Sequence, residues 1–82
     1  IERLDACTYR LDGSILIEDL NEELQLKLET ENYDTLSGYL IERLGYIPAK
    51  EDKTVIEEEN LVFTVEKMKD NRISKVFLIM KN

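Results

Sequence analysis

Apolar and polar positions near the start of the chain predict one strand, a turn and one helix. Residues 6–11 have the composition of a strand, and Asp12-Gly13 is a turn signal at its end. From residue 17 to residue 24 the apolar positions recur at helical spacing, with Glu18 and Asp19 in the first turn, where the helix dipole favours acids. Asn21, a poor helix former, must therefore face solvent or bond to a nearby backbone group.

A second helix is predicted after the polar segment of residues 32–35. Asp34 or Thr35 can cap it, its apolar positions run from residue 36 to residue 44, and Gly45 ends it, with Pro48 three residues later. Gly38 inside this helix costs about 1 kcal/mol relative to alanine. We therefore expect Gly38 to permit close approach of the helix to a neighbouring helix or sheet.

The last third of the chain has the periodicity of β-strands. Residues 54–56 predict a short edge strand, and alternate positions from residue 61 to residue 65 are apolar. The dipeptide Asp-Asn at residues 70–71 favours a tight hairpin, after which residues 73–80 return as an antiparallel partner. Because Ile73 and Val76 are three apart, out of phase for one face, we expect a bulge near Ser74 and Lys75.

The last predicted strand is apolar on both of its faces. Such a strand is either central in its sheet and covered on both sides, or it offers a surface to a partner. We take its apolar residues as interaction surface candidates, namely Val76, Phe77, Leu78, Ile79 and Met80. The element order β-α-α-β-β-β predicts a small two-layer α+β domain with an antiparallel sheet.

Composition and charge limit the classes of function. The 82 residues are 43% hydrophobic and 35% charged, which is enough for one packed core and one domain over residues 1–82. The net charge of −7 repels phosphate backbones and anionic headgroups, so we expect no nucleic-acid partner. The sequence has no apolar run long enough to span a bilayer, so we expect no direct membrane insertion by this domain. Because the chain starts at Ile1 rather than Met, we expect it to be a fragment of a longer protein.

The inventory of reactive residues argues against an enzyme. The chain contains no histidine and one cysteine, which removes the commonest general base, the commonest metal ligand and thiolate zinc sites. No Gly-rich loop opens a helix, as phosphate and dinucleotide cradles require. We therefore expect no catalytic residue. The neighbours of Cys7 suggest a short strand, where we expect a buried, inert thiol.

Four acidic residues could crowd one side of the first predicted helix: Glu18, Asp19, Glu22 and Glu23. Carboxylates placed in this way attract divalent cations. A charge run of this kind usually only solvates a helix face, so we favour no metal site and keep these residues as weak metal candidates.

Four segments of the chain resemble one known family. They are YRLDGS at residues 9–14, IEDLNEEL at residues 17–24, YDTLSGYLIERLGYIP at residues 33–48 and FTVEKMKDNRISKV at residues 63–76. Together they span nearly the whole chain and are similar to the CorC/HlyC transporter-associated domain. One departure is Glu51, which stands where the family commonly has a glycine three residues after the proline, and it leaves the geometry of that turn open.

The resemblance implies both a fold and a setting. The fold is grouped with a subdomain of certain FAD-binding proteins, the FAD-binding/transporter-associated domain-like fold. The setting is the cytoplasmic face of the bacterial inner membrane, at the C-terminus of hemolysin-like or magnesium and cobalt efflux proteins. There the domain usually follows a transmembrane domain and a pair of CBS domains, which are its expected partners. It is expected to modulate ion transport without a catalytic residue.

Two other functions remain as alternatives. The fold analogy leaves open a small-molecule module that binds a flavin, with FAD as its cofactor, or an adenine nucleotide. The acidic helix face leaves open a divalent-cation sensor. In either case the domain could also pair with a second copy as a homodimer.

Overall fold

The computed structural model describes residues 1–81, which form five strands and two helices. The elements are β1 Glu2–Arg3, β2 Thr8–Asp12, α1 Ile17–Leu24, α2 Leu36–Leu44, β3 Val55–Glu58, β4 Leu61–Lys69 and β5 Arg72–Met80. The strands form one antiparallel sheet in the order β1-β2-β5-β4-β3. The α+β class and the antiparallel sheet are confirmed. The two-residue strand β1 was not predicted, because two residues carry no periodicity.

The β4–β5 hairpin is the centre of the sheet, because β5 pairs with β4 on one side and with β2 on the other. Asp70 and Asn71 turn the chain with φ angles of 51° and 62°. Two-residue hairpin turns that match the twist of the strands require this left-handed conformation. Asp and Asn both tolerate it. The predicted hairpin is confirmed, and of the two alternatives for the last strand the structure shows the central position, without a cover on its outer face within residues 1–81.

The hairpin contains two irregularities at the same level. Val65 pairs with Val76, the next pair is Lys67 with Lys75, and the following one joins residue 68 to residue 73. Each strand therefore carries one extra residue, Glu66 in β4 and residue 74 in β5. The bulge expected near residues 74 and 75 is confirmed, and the compensating one at Glu66 was not anticipated. Together they keep the apolar residues on both sides of the irregularity on the same face of the sheet.

Both helices begin and end as local sequence signals indicate. Helix α1 has the predicted bounds, and the side chain of Asn21 binds both the N–H and the C=O of Leu28 at 3.0 Å. In α2, Thr35 Oγ1 accepts a hydrogen bond from the N–H of Gly38 at 3.2 Å, so Thr35 rather than Asp34 is the cap. Gly45 ends α2 with a φ of 79° and a hydrogen bond from its N–H to residue 41.

Three elements meet where the backbone of Gly13 passes β5, a place that we call the Gly13 crossing. The N–H of Gly13 donates to the carbonyl of Ser74 at 2.9 Å, and its own carbonyl accepts from the N–H of Ser37 in α2 at 2.8 Å. The N–H of Ile73 donates to Ser37 Oγ at 3.0 Å. A Cβ atom on residue 13 would lie 1.7 Å from the carbonyl oxygen of Ile73. The sequence predicted a turn glycine here, and the structure adds a steric requirement for it.

The two helices cover one face of the sheet, which we call the inner face. The largest fully buried side chains between the helices and this face are Leu11, Ile17, Leu20, Leu36, Tyr39, Leu40, Phe63, Val65, Ile73, Val76 and Leu78. The alternation predicted for β4 is therefore confirmed, because Leu61, Phe63 and Val65 all lie in the core. The opposite face, the outer face, has no second layer within residues 1–81.

Two sequence-based expectations about single residues are wrong. Gly38 is exposed, and among residues 1–81 a Cβ atom there would meet only Thr35 Oγ1 at 3.5 Å, so none of the described elements approaches it closely. Cys7 lies in the bend before β2 rather than in a strand and is half-buried.

The sequence left the turn after Pro48 open because Glu51 stands where the family commonly has a glycine. At Glu51 the backbone does not have a positive φ, so this turn does not require a glycine at that position.

The two glycines Gly13 and Gly38 give opposite predictions for the same substitution. Gly13→Ala should destabilise the domain by about 3 kcal/mol or more, because a backbone carbonyl occupies the space of the new methyl group. Gly38→Ala should stabilise it by about 0.5 to 1 kcal/mol, since an exposed helix position gains helix propensity without a clash. Urea denaturation of the three proteins measures both changes.

A cost below about 1 kcal/mol for Gly13→Ala would contradict the crossing as a steric constraint. Gly38→Ala is the matched control, because it makes the same chemical change on the same chain.

Candidate functional site

The outer face of the sheet carries an apolar area that neither helix covers. Because side chains alternate along a strand, the neighbours of the core residues of β4 and β5 point away from the helices. Val62, Phe77 and Ile79 are such neighbours, and Val55 on β3 joins them. We call these four residues the outer-face patch.

The strand register makes the patch continuous. Val62 pairs with Ile79, and Thr64 pairs with both Phe77 and Val55. Val55 is 53% exposed and Ile79 is 40% exposed, while the other two are half-buried. A contiguous apolar area on a sheet face without a second layer is the usual form of a contact surface.

A charged pair borders the patch. Arg10 on β2 binds Glu66 on β4 with two parallel hydrogen bonds, Nη2 to Oε1 at 2.9 Å and Nε to Oε2 at 3.0 Å. Because β5 lies between these two strands, the pair crosses over β5 on the outer face, beside Phe77. Bidentate geometry holds both side chains in one arrangement. The extra residue in β4 thus supplies a polar rim for the patch.

The structure divides the five predicted surface residues of β5 between the two faces. Val76 and Leu78 are fully buried in the core, so they are wrong as surface candidates. Phe77 and Ile79 belong to the outer-face patch, and Met80 is half-buried and packs at the edge of the core. The reason is the pleat, since alternate residues of a central strand cannot all face the same partner.

The four weak metal candidates are all exposed on α1: Glu18, Asp19, Glu22 and Glu23. Three of them, Asp19, Glu22 and Glu23, line one shallow depression beside Ile1. Within residues 1–81, no group of three or more histidine, cysteine, aspartate or glutamate side chains has the arrangement that would hold a metal ion. The structure therefore places these residues on one side of α1, but their carboxylates do not converge on a common point where a metal ion could bind.

A buried tyrosine links α2 to the edge strand β3. The hydroxyl of Tyr39 donates a hydrogen bond to Glu58 and accepts one from Arg43 Nη2 at 3.2 Å. Arg43 also forms an ion pair with Glu58 at 2.8 Å. Burial and the hydrogen bond to Glu58 raise the pKa of Tyr39 to about 12. This arrangement fixes β3, and with it Val55 of the outer-face patch, to the helical layer.

Residues 2–81 match the family described as transporter associated domain, CorC/HlyC. The chain belongs to this family. The match covers both helices and all five strands, which confirms the resemblance carried by the four sequence segments.

Solved structures of similar domains agree with the fold. A hemolysin domain from Enterococcus faecalis is 30% identical, with a TM-score of 0.93 over 99% of this chain and 96% of that one. A CorC/HlyC domain from Xylella fastidiosa, solved in complex with Mg²⁺ and Mn²⁺, is 28% identical, with a TM-score of 0.81 over 100% and 96%. A putative Mg²⁺ and Co²⁺ transporter (CorC) associated region from Neisseria meningitidis shares the fold, with 24% identity and a TM-score of 0.86 over 98% and 96%.

Curated relatives of the CorC/HlyC domain are much longer proteins. A chloroplastic DUF21 domain-containing protein of Arabidopsis thaliana is 40% identical over 63% of this chain, which corresponds to 8% of that protein. A UPF0053 protein of Haemophilus influenzae is 32% identical over 84% of this chain and 16% of its own length. The chain thus spans less than a fifth of the length of either relative.

No helix within residues 1–81 is long and apolar enough to cross a membrane.

Sequence reasoning missed the parts of the surface that depend on strand order. Val55 and Val62 lie on elements that were predicted, but nothing local shows that they meet Phe77 and Ile79. The same holds for the pair of Arg10 and Glu66, which are 56 residues apart in the chain. Val62, an apolar residue on the outer face of β4, was the one local signal in that strand.

Replacement of Tyr39 by phenylalanine should change how stability depends on pH. The folded-state pKa of Tyr39, about 12, lies above the ordinary value of 10.0, so the folded chain holds this proton more tightly than the unfolded chain. The corresponding stability is complete below pH 10 and is lost as the pH rises toward 12, by up to about 3 kcal/mol. Urea midpoints measured from pH 9 to pH 11.5 should fall more steeply for the natural chain than for Tyr39→Phe.

The Tyr39→Phe protein keeps every other side chain of the natural chain, so the difference between the two curves isolates Tyr39. Parallel curves would show that the Tyr39 hydroxyl is free to ionise in the folded state.

Proposed function

We propose that this domain modulates ion transport by a membrane protein to which it is attached, and that it acts through protein contacts rather than catalysis. The single observation that carries the proposal is the outer-face patch on the central strands of the sheet. The patch is contiguous, partly exposed and rimmed by a fixed ion pair, which is the composition expected of a regulatory contact.

The occupant that we propose for the patch is a neighbouring domain of the same parent chain. The curated relatives extend far beyond the region that this chain matches, so most of each relative lies outside it. The family description, transporter associated domain, and a structural neighbour described as a putative Mg²⁺ and Co²⁺ transporter (CorC) associated region support the proposal of an ion-transport setting. In this proposal the neighbours are CBS and transmembrane domains, and in a bacterial parent the domain lies at the cytoplasmic face of the inner membrane.

The reactive groups of the chain support a role without chemistry. The sequence contains no histidine, and Cys7, the single cysteine, lies half-buried in a bend. The first N–H groups of α2 are already used, since those of Leu36, Ser37 and Gly38 donate to Ile15, Gly13 and Thr35. A flavin pyrophosphate would need such groups to be free, and we therefore propose that the domain works without FAD.

A second candidate function is a divalent-cation sensor. The observation that favours it is the Xylella fastidiosa relative, whose structure was solved with Mg²⁺ and Mn²⁺. On this chain the candidate ligands are the exposed carboxylates of α1, among which Asp19, Glu22 and Glu23 share one depression. Exposed carboxylates of this kind bind divalent cations weakly, and the bound cation keeps many of its water ligands.

Deletion of the domain from a full-length parent should change cation efflux while membrane insertion is preserved. Ile79→Lys in the intact parent should change efflux in the same direction as the deletion, because a charge placed in an apolar contact cannot be desolvated cheaply. Ile47→Lys is the matched control, since Ile47 is 51% exposed and lies outside the patch. Efflux is measured in cells at equal membrane abundance of each protein.

Unchanged efflux after the deletion would contradict modulation of transport. If the deletion acts and Ile79→Lys behaves like Ile47→Lys, the patch is not the contact. Sedimentation of the isolated domain adds one further outcome: a dimer that Ile79→Lys dissociates would identify a second copy as the occupant, contrary to the proposal.

The cation-sensor alternative predicts a thermal shift. Addition of MgCl₂ should raise the melting temperature by about 2 °C or more relative to NaCl at equal ionic strength, because a ligand of the folded state stabilises it. The double variant Glu22→Gln, Glu23→Gln should lose this shift. The control Glu57→Gln, Glu59→Gln removes the same charge from exposed positions elsewhere and should keep it. An equal shift in all three proteins would contradict a site on α1.

A further inference from the structure

A cleft opens where β2 ends, β5 begins and α2 starts, away from the outer-face patch. Its volume is about 360 Å³, at the lower end of the range of small-molecule sites. Four hydroxyl side chains and three cationic ones line it: Ser14, Thr35, Ser37, Ser74, Lys69, Arg72 and Lys75. The Gly13 crossing forms its floor, so the backbone around it is held by the fold.

The cleft is positively charged although the chain as a whole is acidic. Its one acidic side chain, Asp12, forms an ion pair with Lys75, and that pair lowers the pKa of Asp12 below its ordinary value. Within the described part of the chain, Lys69 and Arg72 have no carboxylate partner. Two uncompensated cations therefore face the cleft.

The hairpin concentrates these cations at a cost to its own stability. Lys69 lies directly opposite Arg72 in the register, and Lys67 lies opposite Lys75. Like charges in directly opposed positions destabilise a sheet. Packing of the core gives no reason for this arrangement, because all four side chains lie outside the core. An anion bound in the cleft would offset the repulsion between Lys69 and Arg72, whereas Lys67 does not line the cleft.

A buried hydroxyl adds a donor at the base of the cleft. Ser37 is 6% exposed, and its Oγ accepts a hydrogen bond from the N–H of Ile73 at 3.0 Å. Among residues 1–81, no acceptor lies in hydrogen-bond geometry for the proton of this hydroxyl. Thr35 Oγ1 likewise accepts a hydrogen bond, from Gly38, and keeps its proton to donate. Each hydroxyl thus has one hydrogen bond left to give.

We propose that this cleft binds a phosphate monoester group, with Arg72 and Lys69 supplying charge and the hydroxyls of Ser37, Thr35 and Ser14 supplying donors. Two free cations match the charge of close to −2 on a phosphate monoester, and several donors match its three terminal oxygens. A carboxylate has one charge and two oxygens and would leave part of this set unused. The group belongs either to a soluble molecule or to a phospholipid whose headgroup carries a phosphate monoester, as that of phosphatidic acid does, and both present the same chemistry.

The test is a titration of the 82-residue chain with inorganic phosphate, followed by amide NMR against NaCl at equal ionic strength. Saturable shifts should centre on Gly13, Ser37 and Ile73. Arg72→Gln should weaken the apparent affinity about tenfold or more, the effect of removing one charge-assisted contact. Lys81→Gln is the control, because it removes the same charge beyond the far end of β5 and should leave the affinity unchanged.

A second arm distinguishes the two sources. The chain is sedimented with phosphatidylcholine vesicles with and without phosphatidic acid. Phosphate binding without vesicle binding identifies a soluble phosphate, and Arg72-dependent sedimentation with phosphatidic acid identifies a headgroup. Absence of saturable binding in both arms, or equal weakening by Arg72→Gln and Lys81→Gln, would overturn the proposal.

Discussion

The close contact between the backbone of Gly13 and β5 is the constraint on which the rest of the structure depends. It lets β2 end against β5 and lets α2 start from the same place, since Ser37 binds both Gly13 and Ile73. The inner face of the sheet is thereby closed at one end by backbone hydrogen bonds together with the hydroxyl of Ser37. Because α2 is anchored there, Tyr39 reaches Glu58 on the edge strand, and the helical layer is fixed at both ends.

Local signals were sufficient for most of the secondary structure. The bounds of α1, a cap at Asp34 or Thr35, the end of α2 at Gly45 and the turn at residues 70–71 each depend on a few neighbouring residues. All of them are confirmed, with Thr35 as the cap. Features that depend on distant partners were not predictable in the same way. The bulge at Glu66 and the two-residue strand β1 exist only because other strands lie beside them.

The candidate surface shows the same division between local and distant information. A strand that is apolar on both faces indicated the right segment, but the choice of Phe77 and Ile79 over Val76 and Leu78 required the direction of the pleat. The patch was incomplete without Val55 and Val62, which strand order brings beside them. Net charge was also a poor guide, because an acidic total conceals a cluster of cations around Arg72.

The position of β5 has a consequence for how the chain is made. It is the central strand of the sheet and also the last of the five along the sequence. During synthesis, the edges of β2 and β4 that pair with β5 therefore stay free until β5 has left the ribosome, and neither strand can form a stable sheet with its other neighbour alone. The sheet of the nascent domain is therefore incomplete until β5 is inserted. A chain that ends before residue 72 has exposed strand edges, which chaperones and proteases recognise.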